Sequence, residues 1–140
     1  MARVMALDVG DRRIGVALSD AGGILASPLT IIEQATQAQA ITEILKIVRE
    51  REVSAIIIGL PYSLNGSIGP QAEKVQVFVE ELKQQTNLPI ELRDERFTTA
   101  TAVEYKKAAS KKKPDRKTRY DAMAAAIILQ EYLDEKANLR

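Results

Sequence analysis

The chain has 140 residues, nearly half of them hydrophobic, with 20 Lys and Arg against 19 Asp and Glu and with neither cysteine nor histidine. That length predicts one domain with a sizeable core and no second lobe. No apolar run is long enough to span a bilayer or to act as an export signal, so no membrane partner and a cytoplasmic protein are expected.

Without cysteine or histidine there is no disulfide, no thiolate site and no imidazole base. Chemistry falls to carboxylates, hydroxyls, lysines and arginines, and carboxylates alone favour hard cations such as Mg²⁺ or Mn²⁺.

In chain order, Val4 to Val9 is apolar except for Asp8, the pattern of a strand covered on both faces. A carboxylate buried there without a partner would cost several kcal/mol, so Asp8 needs one. Gly10-Asp11-Arg12-Arg13 carries a turn, and Ile14, Val16 and Leu18 alternate with Gly15, Ala17 and Ser19 as a returning strand. The small residues on one face of that strand admit a close approach. After a second turn at Asp20, Ser27 to Glu33 predicts a third strand, short and near an edge because of Pro28.

Between Thr36 and Glu52 the positions Ala40, Ile41, Ile44, Leu45 and Val48 follow helical spacing. Ser54 to Gly59 is a uniformly apolar run of the kind buried in a parallel sheet. A loop of turn formers from Leu60 to Pro70 leads to a helix over Gln71 to Gln85, with Val75, Phe78, Val79 and Leu82 on one stripe. Leu88 to Arg96 begins as a last strand and ends in charge. A short helix from Ala100 to Ala109, a basic run and a final helix from Arg116 to Lys136 complete the order β-β-β-α-β-α-β-α-α, an α/β fold with antiparallel strands feeding parallel ones.

Three places carry chemistry. Asp8 is the first, although backbone amides at a strand end would also explain it. Asp94 and Glu95 are the second, at the strand end where open sheets place ligands. Strict alternation keeps Asp94 with Ile90 and Leu92 and turns Glu95 to the other face. A twist at the strand end reverses this, so spacing leaves the choice open, and Arg93 to Arg96 also fits a patch of solvated ion pairs.

Asp121 is the third, on a helix whose body from Ala122 to Leu129 is apolar all round. It shares a stripe with Ala125, Ile128 and Tyr132, which aims it at the sheet. With Asp115 as the N-cap it lies beyond the reach of the helix dipole. Three carboxylates from distant segments share divalent ions only if the fold joins them; two ions ~3.5–4 Å apart would then activate a water and stabilise a leaving oxygen without any histidine.

A net charge of +1 hides a local excess. Lys106, Lys107, Lys111, Lys112, Lys113, Arg116, Lys117 and Arg119 surround a single acid, Asp115. Such a run is ordinarily a solvated loop. Leading into the helix of Asp121, it is a candidate grip on phosphates, with Arg12 and Arg13 at the hairpin tip as weaker candidates.

These blocks resemble a known family. Asp8-Val-Gly with Arg13-Ile-Gly-Val-Ala, Gly59-Leu-Pro with Asn65-Gly66 and Gly69, Asp94-Glu-Arg-Phe-Thr-Thr99, and Asp121 with Ala124-Ala, Ile128-Leu and Tyr132-Leu are similar, in order and over nearly the whole chain, to the YqgF/RuvX family. Phe97 stands where the family usually has Leu, and Ser63-Leu64 replaces a polar-Met pair. The resemblance implies an RNase H-like fold with a five-stranded mixed sheet flanked by helices. It implies a metal-dependent nuclease acting on nucleic acid, either the 5′ end of precursor small-subunit rRNA or branched DNA as a Holliday junction resolvase.

The family's acidic site maps to Asp8, to the Asp94-Glu95 pair with Glu95 preferred, and to Asp121. Two other classes are weighed against it. Asp8-Val-Gly also resembles the first phosphate loop of actin-like ATPases, which bind nucleotide between two lobes where this chain supplies one. A nucleic-acid-binding module of the same fold without turnover is the other. Whether the chain is a monomer or a homodimer is left open by the sequence.

Overall fold

Alternation along the first strand sets the layering. In a computed structural model, which describes residues 3–10, 12–33, 36–60, 69–94 and 116–138, β1 (Arg3–Val9) turns Met5, Leu7 and Val9 to one face and Val4 and Ala6 to the other. It pairs antiparallel with β2 (Arg13–Ser19) and parallel with β4 (Val53–Leu60). β3 (Ala26–Glu33) closes one edge against β2, and β5 (Ile90–Asp94) closes the other against β4. The order β3-β2-β1-β4-β5 is the expected five-stranded mixed sheet.

The parallel pairing requires a crossover. α1 (Gln37–Glu50) supplies it, opened by the Thr36 side chain, which accepts from the Gln39 amide at 3.1 Å. The helix stops at Glu50 rather than Glu52 because Arg51 caps it and Glu52 enters the left-handed region at φ 53°. α2 (Pro70–Gln85) follows β4, with Pro70 in its first turn, where no amide is needed. Both helices cover the Met5 face, building the larger core from Phe78, Leu82, Ile44, Ile56, Ile58 and their neighbours.

α3 (Arg116–Asn138) covers the opposite face, packing Ala125, Ile128, Leu129 and Leu133 with Ala6, Ala17 and Ile57. The small residues of the returning strand do what their size allows: Ala6, Ala17 and Ala125 are fully buried. Gln130 fixes the register, its side-chain oxygen accepting from the Ala26 amide and its nitrogen donating to the Ile24 carbonyl, both at 2.9 Å.

β3 lies at an edge as expected, but it is not short. It runs eight residues, because a bulge opposite the Val16–Ala17 step carries the ladder past Pro28. The helix predicted from Ala100 to Ala109 lies outside the described residues. Enlarging the contact between α3 and the sheet tests this packing. Ala125→Leu should cost about 1–3 kcal/mol in urea unfolding, because Ala125 is fully buried in the same layer as Ala6 and Ala17.

Candidate active site

Asp8 is the next-to-last residue of the central strand. It is half-buried, lies opposite Gly15 on β2, and is not left without a partner. Alternation puts it on the face of Ala6, the face under α3. Gly15 presents no side chain beside it. At the turn that follows, the Gly10 amide donates to the Arg13 carbonyl at 2.8 Å, and a Cβ on Gly10 would come within 3.0 Å of that oxygen.

The parallel strands set the level of the second acidic place. Leu7 pairs with Ile58, and Ile58 pairs with Leu92. One residue further on, Asp8, Gly59 and Arg93 fall on one row, and Val9, Leu60 and Asp94 on the next. Asp94 is thus one row from Asp8 and two strands away, about 10 Å by strand spacing. Its partner Leu60 belongs to the core on the α1–α2 face, whereas Arg93 reaches α3. Position 121 lies in α3 beyond its first turn.

The side chains of Asp94, Arg116, Lys117, Arg119 and Asp121, and all of Glu95, Lys111, Lys112 and Lys113, lie outside the described residues. Among the described residues no group of three or more acidic side chains is placed to hold a metal ion. At the hairpin tip Arg12 is exposed, and Arg13 Nε is drawn sideways to Glu33 on β3 at 3.2 Å.

Arg93 has a partner that spacing did not reveal. Its two terminal nitrogens donate to the two oxygens of Glu135 on α3 at 2.8 and 2.7 Å, and its guanidinium lies 5.8 Å from the centre of the Tyr132 ring. The Glu135 fork holds Arg93 above its ordinary pKa, and in return Arg93 holds the Glu135 carboxyl below the usual range. Burial pushes neighbouring Glu131 up, opposed by Arg93. The one available signal was parity, which turns Arg93 away from Ile90 and Leu92 and toward whatever covers the other face.

Because the Glu135 carboxyl is lowered on folding, its contribution is present at neutral pH and is lost as the pH falls through its folded-state pKa. Glu135→Gln should cost about 0.5–1 kcal/mol at pH 7 for so exposed a pair. That gap from wild type should close as urea unfolding is repeated below about pH 4.

Comparison with known proteins places this geometry. The model of the RuvX family, described as Holliday junction resolvase, matches residues 2–135. A protein of Roseiflexus sp. with the provisional name pre-16S rRNA nuclease is 49% identical over 134 residues, 96% of this chain and 95% of that one. A protein of Thermoanaerobacter pseudethanolicus with the same provisional name is 45% identical over 137 residues, 97% and 99% of the two chains. Among solved structures, Thermus thermophilus RuvC in complex with a Holliday junction superposes with a TM-score of 0.65 over 99% of this chain and 97% of its own, at 12% identity. That likeness shows a RuvC-like RNase H fold. By sequence along almost its whole length, and with the fold to match, this chain belongs to the RuvX family, also called YqgF.

Proposed function

We propose that this chain is a divalent-metal nuclease that hydrolyses phosphodiester bonds in structured RNA, with the 5′ end of precursor 16S rRNA in the cytoplasm as its substrate. The observation that carries this reading is Asp8, a half-buried carboxylate at the carboxyl end of the central strand, on the sheet face that α3 packs against and one row from Asp94. The RNA substrate is preferred over branched DNA because the relatives at 45–49% identity are named for it. The likeness to RuvC, at 12% identity, supports the fold alone.

One geometric argument, parity, supports a shared acidic site. Arg93 points to α3 and Asp94 pairs with Leu60 of the other core, so one further step of alternation would turn Glu95 to the face of Asp8.

An all-carboxylate donor set suits Mg²⁺ or Mn²⁺, which Asp8, Glu95 and Asp121 would hold with Asp94 beside them. When bound, such a cation supplies positive charge where the scissile phosphate gathers negative charge. Proton traffic falls to the carboxylates and water, since the chain has no histidine. The basic run through Lys111, Lys112, Lys113, Arg116, Lys117 and Arg119 leads into the helix of Asp121 and would grip flanking phosphates, with Arg12 at the hairpin tip.

The deciding experiment incubates the protein with a precursor 16S rRNA 5′ fragment and with a four-way DNA junction, each with Mg²⁺, Mn²⁺ or EDTA. Metal-dependent cutting of the RNA is expected. Cutting of the junction alone would make the chain a resolvase, and tight binding without cutting would make it a binding module. Asp8→Asn and Asp121→Asn should each lower turnover about a hundredfold or more, with circular dichroism unchanged. A folded variant with near-wild-type turnover across a Mn²⁺ titration overturns the shared site. Replacing Lys111, Lys112 and Lys113 by Ala should reduce the slope of log affinity against log salt by about 2–3. An unchanged slope removes the run from the interface.

A further inference from the structure

β5 is a five-residue strand with one hydrogen-bonded neighbour among the described residues, and it leads directly into the Asp94-Glu95 pair. Apolar burial holds only its beginning: Ile90 packs against the larger core, while Leu92 is 38% exposed. Immediately before the acidic pair, Arg93 crosses to α3 and grips both oxygens of Glu135. A planar guanidinium forked onto a carboxylate fixes direction as well as distance, which a single ammonium cannot do. Tyr132, three residues before Glu135 and so on the same side of the helix, lies under the guanidinium, and Glu91 stands 3.9 Å away on the strand. Only 20% of the Arg93 side chain remains exposed.

We propose that Arg93 is a positioning residue: its fork to Glu135 anchors to α3 the end of β5 that leads into the Asp94-Glu95 pair. The proposal rests on the metal-site reading above. β5 and α3 belong to different layers and are joined by a long stretch of chain, so chain connectivity does not fix their separation. The fork does so by a direct link.

The test is Mn²⁺ binding to the protein alone, followed by electron paramagnetic resonance, beside thermal melting. Wild type should bind Mn²⁺ and Asp8→Asn should lose it, which establishes the metal site independently of Arg93. Arg93→Met and Glu135→Gln should each weaken Mn²⁺ binding about tenfold. The double variant should lose no more than either single one, because both remove the same link. Arg93→Lys keeps the charge without the fork, and it should melt near wild type while still binding Mn²⁺ more weakly. It also serves as the test variant if Arg93→Met fails to fold.

Wild-type Mn²⁺ affinity in folded Arg93→Lys and Glu135→Gln, with binding lost in Asp8→Asn, overturns the positioning role and leaves the metal site standing. Losses that add in the double variant overturn it as well, since the two residues then act separately. Absence of Mn²⁺ binding by wild type overturns both.

Discussion

The pairing of β1 on both its edges is the constraint on which the rest of the molecule depends. Met5, Ala6 and Leu7 are completely buried, and a backbone so placed must satisfy its amides and carbonyls within the sheet. β2 satisfies one edge through a tight turn. The other edge is taken by β4, whose parallel direction obliges the chain to cross over through α1. Everything later in the sequence is then added to a strand already closed on both sides, and its carboxyl end is where Asp8 lies.

The two faces of that sheet divide the work. On one, large side chains such as Phe78, Leu82, Ile44 and Ile58 fill the space under α1 and α2 and account for most of the apolar burial. On the other, Ala6, Ala17 and Ala125 keep α3 close to the strands, which shortens the distance from the helix to the ends of β1 and β5. A thin layer there contributes less burial but tighter placement. Directed polar contacts complete it: Gln130 ties α3 to β3, and Arg93 ties it to β5.

The likeness to RuvC at 12% identity follows from the same division. Strand order, crossover and buried parity can be met by many apolar sequences of suitable volume, so the architecture outlasts the residues that build it. Substrate choice does not follow from architecture, which is why the closer relatives and the acidic and basic residues carry the functional reading.

Much of the fold was legible because it rests on local periodicity. The alternation in β2, the apolar runs of β1 and β4 and the stripes of α1 and α2 each announce their element and its buried side. The sequence alone also singled out Asp8, since a carboxylate in an apolar strand conflicts with its surroundings. It showed that Asp94 and Glu95 face opposite ways if alternation holds.

What periodicity could not say is which face would receive the last helix, because parity is relative. Only the folded sheet, with α3 over Ala6 and Arg93, attaches that parity to a location. The bulge that carries β3 past Pro28 depends on the partner strand, and the Arg93–Glu135 fork joins residues 42 positions apart. Such contacts leave no local pattern, because they exist only once separate elements have been packed against one another.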